Sequence, residues 1–136
     1  MKADPKVKTM DVVAFKHSDP SQAYPISGTR VTSYVEFCVP IPEQGQIVAM
    51  EPIVQAENVA HVHHFVVKGL LTDVDNRCNG AHPDDIWAWA PGTTPIVYPS
   101  NVGMDIGTEG YAFIGIQIHY DNPERVVGLE DRSGVR

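Results

Sequence analysis

Tyr111-Ala112-Phe113-Ile114-Gly115-Ile116-Gln117-Ile118-His119-Tyr120, stopped by Asp121-Asn122-Pro123, is the stretch whose reading decides the fold. Successive side chains of a strand point to opposite faces. Ile114, Ile116 and Ile118 therefore share one face, and Tyr111, Phe113, Gly115, Gln117 and His119 share the other. An all-aliphatic face backed by a mixed one is the pattern of a strand with one side in a core. Working outward, the same grammar repeats in short runs. Residues 31–39 are rich in β-formers and end at Pro40. Residues 46–54 follow the turn at Glu43-Gln44-Gly45, and residues 59–67 carry a histidine cluster. Residues 86–90 form an aromatic run closed by Pro91-Gly92, and residues 11–15 form a short apolar run near the start. Residues 73–85 are polar, with Asn, Gly and Pro, and read as a long loop. Eleven glycines and eleven prolines punctuate these runs, and no segment keeps a 3.6-residue apolar period over three turns. The expected class is all-β: a single-domain antiparallel β-sandwich, jelly-roll-like.

Bulk properties narrow the function. The 136 residues suit one domain, and 43% apolar content is enough for a core. The net charge of −7, with no Lys/Arg cluster, argues against a nucleic-acid surface. No run approaches the roughly 18 apolar residues of a membrane helix. Met1-Lys2-Ala3-Asp4-Pro5 has no apolar h-region, so no signal peptide is expected there. Cys38 and Cys78 fit either a disulfide or two buried thiols, and there is no Cys-x-x-Cys. Gly-x-Ser-x-Gly and a phosphate-cradling glycine loop are also missing. The tail, residues 124–136, is polar and charged, like a linker or the start of a further segment.

The chemistry-bearing residues are histidines. Six occur, and His61, His63 and His64 fall within four positions. Imidazole is a common ligand of copper, zinc, nickel and iron. Three polar rings so close together on a strand make poor core material, because each needs partners. His119 lies on the less aliphatic face of its strand, where a ligand can be displayed. His17 and His82, in Pro- and Asp-containing turns, read as structural or surface residues. Strand parity makes His61/His63 the easier metal pair, as in a cupin-like His-x-His site, but the Glu that normally follows is replaced here by Phe65 to Gly69. His63/His64 converge only if a bulge re-aims one of them. The aromatic run Trp87-Ala88-Trp89-Ala90-Pro91-Gly92 reads as core packing before a turn.

Taken in order, several segments resemble a known family. They are Glu51-Pro52-Ile53-Val54, Val62-His63-His64, Ala88-Trp89-Ala90 with Gly92, Tyr98-Pro99, His119-Tyr120-Asp121-Asn122-Pro123, and Asp131-Arg132-Ser133-Gly134-Val135-Arg136. Together they resemble the N-terminal domain of the copper type II, ascorbate-dependent monooxygenases, on the dopamine β-monooxygenase side. The resemblance runs from about Tyr34 to the end. It implies copper ligation by His63, His64 and His119, with a local irregularity at His63-His64, and makes His61 an extra. It also implies a Cys38–Cys78 disulfide. The family's active unit has two β-sandwich domains. The first takes electrons from ascorbate, and the second, with a His-His-Met copper, binds oxygen and hydroxylates a C–H bond. The resemblance thus divides the chain into a lead-in (1–30), a copper-binding core (31–123) and a connector (124–136) toward a second domain. It places the parent protein in a secreted or vesicle-lumen setting. The runner-up is a stand-alone metal-binding or cupin-like module using His61, His63 and His119. Three neutral imidazoles also suit zinc, but the order of divalent-metal affinities favours copper at nitrogen sites.

Overall fold

The structure, a computed structural model, describes residues 7–81 and 83–136; the start at Met1-Lys2-Ala3-Asp4-Pro5 and His82 lie outside them. In chain order its strands begin with β1 (Val12–Val13), β2 (Tyr24–Pro25), β3 (Thr32–Pro40) and β4 (Gly45–Ile47). Then come β5 (Ala49–Met50), β6 (Pro52–Ile53), β7 (Val62–Leu70), β8 (Asp84–Trp89) and β9 (Ile96–Val97). The series ends with β10 (Met104–Ile106), β11 (Phe113–Asp121), β12 (Glu130–Asp131) and β13 (Gly134–Val135). The helical structure among the described residues is one 3₁₀ turn, Ala56–Asn58.

Four long strands make the main sheet, ordered β3-β11-β7-β8 and antiparallel throughout. Its central strand is the stretch quoted first. Ile114, Ile116, Ile118 and Tyr120 on one face of β11 are 4%, 0%, 0% and 1% exposed, so this is the core face. In register beside them stand Phe37 and Val67 across from Ile116, and Phe65 across from Ile118. Trp89 of β8 stacks on Phe65, with ring centroids 5.1 Å apart, so the aromatic run is core packing, as its composition suggests. The second layer is built from small pieces: the sheet β1-β13-β6 and the ribbons β4–β10, β2–β12 and β5–β9. β1 packs across onto β3 and β11, and Val12, Ala14, Phe15, Ile26, Met50 and Val135 close the core from that side. The result is an antiparallel β-sandwich.

Three expectations shift on contact with the structure. Residues 46–54 are not one strand but β4, β5 and β6, each paired to a different partner. Pro52 has no N–H to sustain a continuous ladder, and the chain changes neighbours as it bends along the sandwich. Residues 11–15 keep only two ladder positions, although Ala14 and Phe15 remain buried. Residues 124–136, expected as a linker, thread back into the fold. β13 lies between β1 and β6, and Asp131 and Ser133 are fully buried. The polar side chains that suggested a linker are the ones that fix this segment. The Asp131 carboxylate accepts hydrogen bonds from Asn58 (2.8 Å), Ser133 (2.7 Å) and Tyr120 (2.7 Å). Burial, with the Asp131 charge beside it, pushes the Tyr120 hydroxyl well above the usual phenol range. It therefore stays a proton donor.

The outer face of the main sheet carries two features. At one end Cys38 and Cys78 form a disulfide, packed with Leu70 and Phe113. It lies flat over Gly115, where an added Cβ would stand 2.3 Å from both sulfurs. At the other end of the same face is the histidine cluster.

Candidate metal centre

Two neighbouring strands supply the cluster: β7 carries His63 and His64, and β11 carries His119. On β11, His119 faces outward because its neighbours Ile118 and Tyr120 face inward. It sits in register between Tyr34 of β3 and His64 of β7. After that pair the register slips, so that Tyr120 stands opposite Val62 and His63 has no partner across the ladder. This is a β-bulge: two residues of one strand oppose one of the next, and the local kink re-aims a side chain. Strict alternation would put His63 and His64 on opposite faces, and the bulge is what lets both rings turn outward. Val62 and Phe65, buried on either side, hold β7 on the core while the bulge forms between them.

The geometry is tight. Nδ1 of His63 lies 2.9 Å from Nδ1 of His64 and 3.1 Å from Nδ1 of His119, and the third edge of the triangle is 3.3 Å. His63 is exposed, His64 half-buried and His119 nearly buried, so the triangle opens to solvent on one side. Hydrogen bonding within the cluster needs a proton on at least one of the converging nitrogens, whereas a cation accepts lone pairs from all three. An imidazole nitrogen sits about 2.0–2.1 Å from a bound zinc, and two such nitrogens at angles between square and tetrahedral are about 2.8–3.4 Å apart. All three edges fall in that span. Burial, followed by the neighbouring His119 and His63, lowers the His64 pKa below the ordinary imidazole value of 6.5, which favours the neutral, ligand-competent form.

The surroundings are specific. The Tyr34 ring stacks on His119, with centroids 4.3 Å apart and planes 14° apart. Nε2 of His119 is buried and has no hydrogen-bond partner, although Oδ1 of Asp121 lies 3.3 Å away. We read the contact as a close approach that lacks hydrogen-bond alignment.

The structure brings His63, His64 and His119 together and leaves His61 outside. Nδ1 of His61 is 2.9 Å from the Asp121 carbonyl oxygen, in the turn before β7. His17 is structural: its ring stacks on Phe37 and its Nε2 lies 2.7 Å from the Glu36 carbonyl. Sequence reasoning passed over Tyr34 and Asp121. Asp121 had a signal, since it lies two residues beyond His119 and so on the same strand face. Tyr34 had none without the β3–β11 register.

The fold and the site together define an antiparallel β-sandwich whose outer face gathers three histidines that could hold a metal ion. The sequence profile described as "Copper type II ascorbate-dependent monooxygenase, N-terminal domain" matches residues 20–127, and the chain belongs to this family. Among its relatives, DBH-like monooxygenase protein 1 of Gallus gallus is 31% identical over 117 residues, covering 74% of this chain and 19% of the relative. Tyramine beta-hydroxylase of Caenorhabditis briggsae is 35% identical over 100 residues, 65% of this chain and 17% of the relative. Dopamine beta-hydroxylase of Rattus norvegicus is 30% identical over 146 residues, 96% of this chain and 23% of the relative. The chain spans about a fifth of the length of these relatives. No helix among the described residues is long and apolar enough to cross a membrane.

Proposed function

We propose that the chain binds one copper ion through Nδ1 of His63, His64 and His119, and serves as the electron-accepting first domain of an ascorbate-dependent copper monooxygenase. The observation that carries this reading is the triangle of ring nitrogens, 2.9 to 3.3 Å on each edge, raised by a bulge in a member of that family. Bound copper would supply one-electron exchange between Cu(II) and Cu(I). The protein's part is to hold three neutral donors at fixed spacing, with no thiolate to favour one oxidation state. Tyr34 and the strand register fix the His119 plane, while the exposed edge at His63 leaves room for a small reductant to approach.

In this reading residues 31–123 hold the metal, residues 1–30 lead into it, and residues 124–136, after closing the sandwich through β13, carry the chain toward a second domain with a His-His-Met copper, where the hydroxylated substrate would bind. The parent protein would be a C–H hydroxylase working in a secretory or vesicle lumen. That setting also suits the Cys38–Cys78 disulfide.

The test is to load the purified chain with one equivalent of Cu(II) and add ascorbate. The EPR signal should vanish as Cu(I) forms, and neither dopamine nor tyramine, the compounds in the relatives' names, should be hydroxylated. Hydroxylation by these residues alone would contradict the two-domain reading, and failure of ascorbate to reduce the ion would contradict the electron-accepting role.

A further inference from the structure

His119 poses a problem that the ligand triangle alone does not solve. If its Nδ1 offers a lone pair to a metal, the ring proton must sit on Nε2. That Nε2 is buried and has no hydrogen-bond partner. The carboxylate oxygen nearby is Oδ1 of Asp121, at 3.3 Å. Asp121 is itself held closely. Its N–H donates to the His61 carbonyl (2.8 Å), its own carbonyl lies 2.9 Å from Nδ1 of His61, and the Thr32 hydroxyl is 3.5 Å from its Oδ1. Thr32 is also its ladder partner on β3.

We propose that Asp121 is the outer carboxylate of the copper site. Its carboxylate, 3.3 Å from Nε2 of His119, favours the tautomer that carries the proton on Nε2 and biases the ion toward Cu(II), and the backbone and ring of His61 hold Asp121 in place. The inference rests on the copper reading above. A metal-bound imidazole that donates its second N–H to a carboxylate is oriented by it and becomes a more basic ligand. A negative charge at that position stabilises the more highly charged oxidation state of the ion. The same arrangement gives His61 a role. Its ring sits outside the triangle, engaged with the Asp121 backbone, so the third imidazole of the His61-Val62-His63-His64 run acts through Asp121 and His119 and not on the metal itself. Asp121 is a positioning residue, since it acts through His119.

The experiment compares Cu(II) and Cu(I) affinities, the reduction potential and the EPR spectrum of the copper-loaded chain with those of three variants. Asp121→Asn keeps the shape and removes the charge. Asp121→Glu keeps the charge. Asp105→Asn removes the same charge from the distant β4–β10 ribbon. In Asp121→Asn, Cu(II) affinity should fall about tenfold or more, Cu(I) affinity should fall less, and the reduction potential should rise, with a changed EPR spectrum. Asp121→Glu should recover part of the loss, and Asp105→Asn should match the parent chain. If Asp121→Asn matches the parent in affinity ratio, potential and spectrum, or if Asn and Glu shift them equally, the inference is overturned while the copper reading stands. If the parent chain takes up no stoichiometric copper, it is the copper reading that fails.

Discussion

At the scale of single residues, the three rings converge because His63 has no partner across the ladder. An ordinary strand position would have turned its ring away from His64, and the bulge removes that constraint. The cost of the bulge falls on the ladder, and the buried neighbours Val62 and Phe65 offset it. The three rings must be unprotonated to bind an ion, so acid competes with metal. Free imidazole titrates near 6.5, and His64 is shifted below that by burial and by its histidine neighbours. The sign follows directly: a proton that adds to a ligand nitrogen removes that ligand, so affinity is full above the titration range and is lost as pH falls. Copper affinity should therefore decline below about pH 6, with more than one proton taken up per ion released. Competition titrations between pH 5 and 8 check this. A flat profile would mean that the imidazoles are not the ligands.

At the scale of elements, β11 runs beneath both outer-face features, with Gly115 under the disulfide and His119 in the triangle, and its alternation made much of this legible. The aliphatic series Ile114, Ile116, Ile118 marks the core face, so alternation alone assigns His119 to the opposite one. The convergence of His63 and His64 could not be derived that way. A bulge leaves no mark in a two-residue period, and parity alone favoured His61 with His63. Only the family resemblance pointed to the adjacent pair. The C-terminal strand β13 was also hidden, because a short segment of charged and small residues reads as a linker. Its burial depends on partners remote in sequence, such as the hydrogen bonds from Asn58 and Tyr120 to Asp131. Gly115 is a further case, since its need for no side chain comes from a disulfide that closes over it. Gly115→Ala should destabilise the fold by about 1–3 kcal/mol, as over-packing does, and reducing the Cys38–Cys78 bond should cost about 4 kcal/mol in the chain-entropy account. Denaturant melts of the variant and of the reduced chain measure both. A Gly115→Ala variant as stable as the parent would mean that the disulfide yields readily.

At the scale of the whole molecule, a mosaic of short strands closes one side of a sheet whose other side carries the histidine triangle. The first and last strands, β1 and β13, pair with each other, and Arg136 binds Asp11 in a bidentate ion pair at 2.7 and 2.9 Å. The ends of the described chain are thereby tied together behind the sheet, and the histidine triangle stands on the opposite, outward face. This arrangement fits a domain that keeps its own core while presenting a metal to a reductant. The central claim is that three particular histidines hold one copper, and the most direct measurement is a Cu(II) titration followed by EPR on the parent chain and on His61→Ala, His63→Ala, His64→Ala and His119→Ala. The account predicts one equivalent of nitrogen-ligated copper in the parent, retention of the ion in His61→Ala, and a large loss of affinity in each of the other three. Loss of binding in His61→Ala with His64→Ala intact would contradict it.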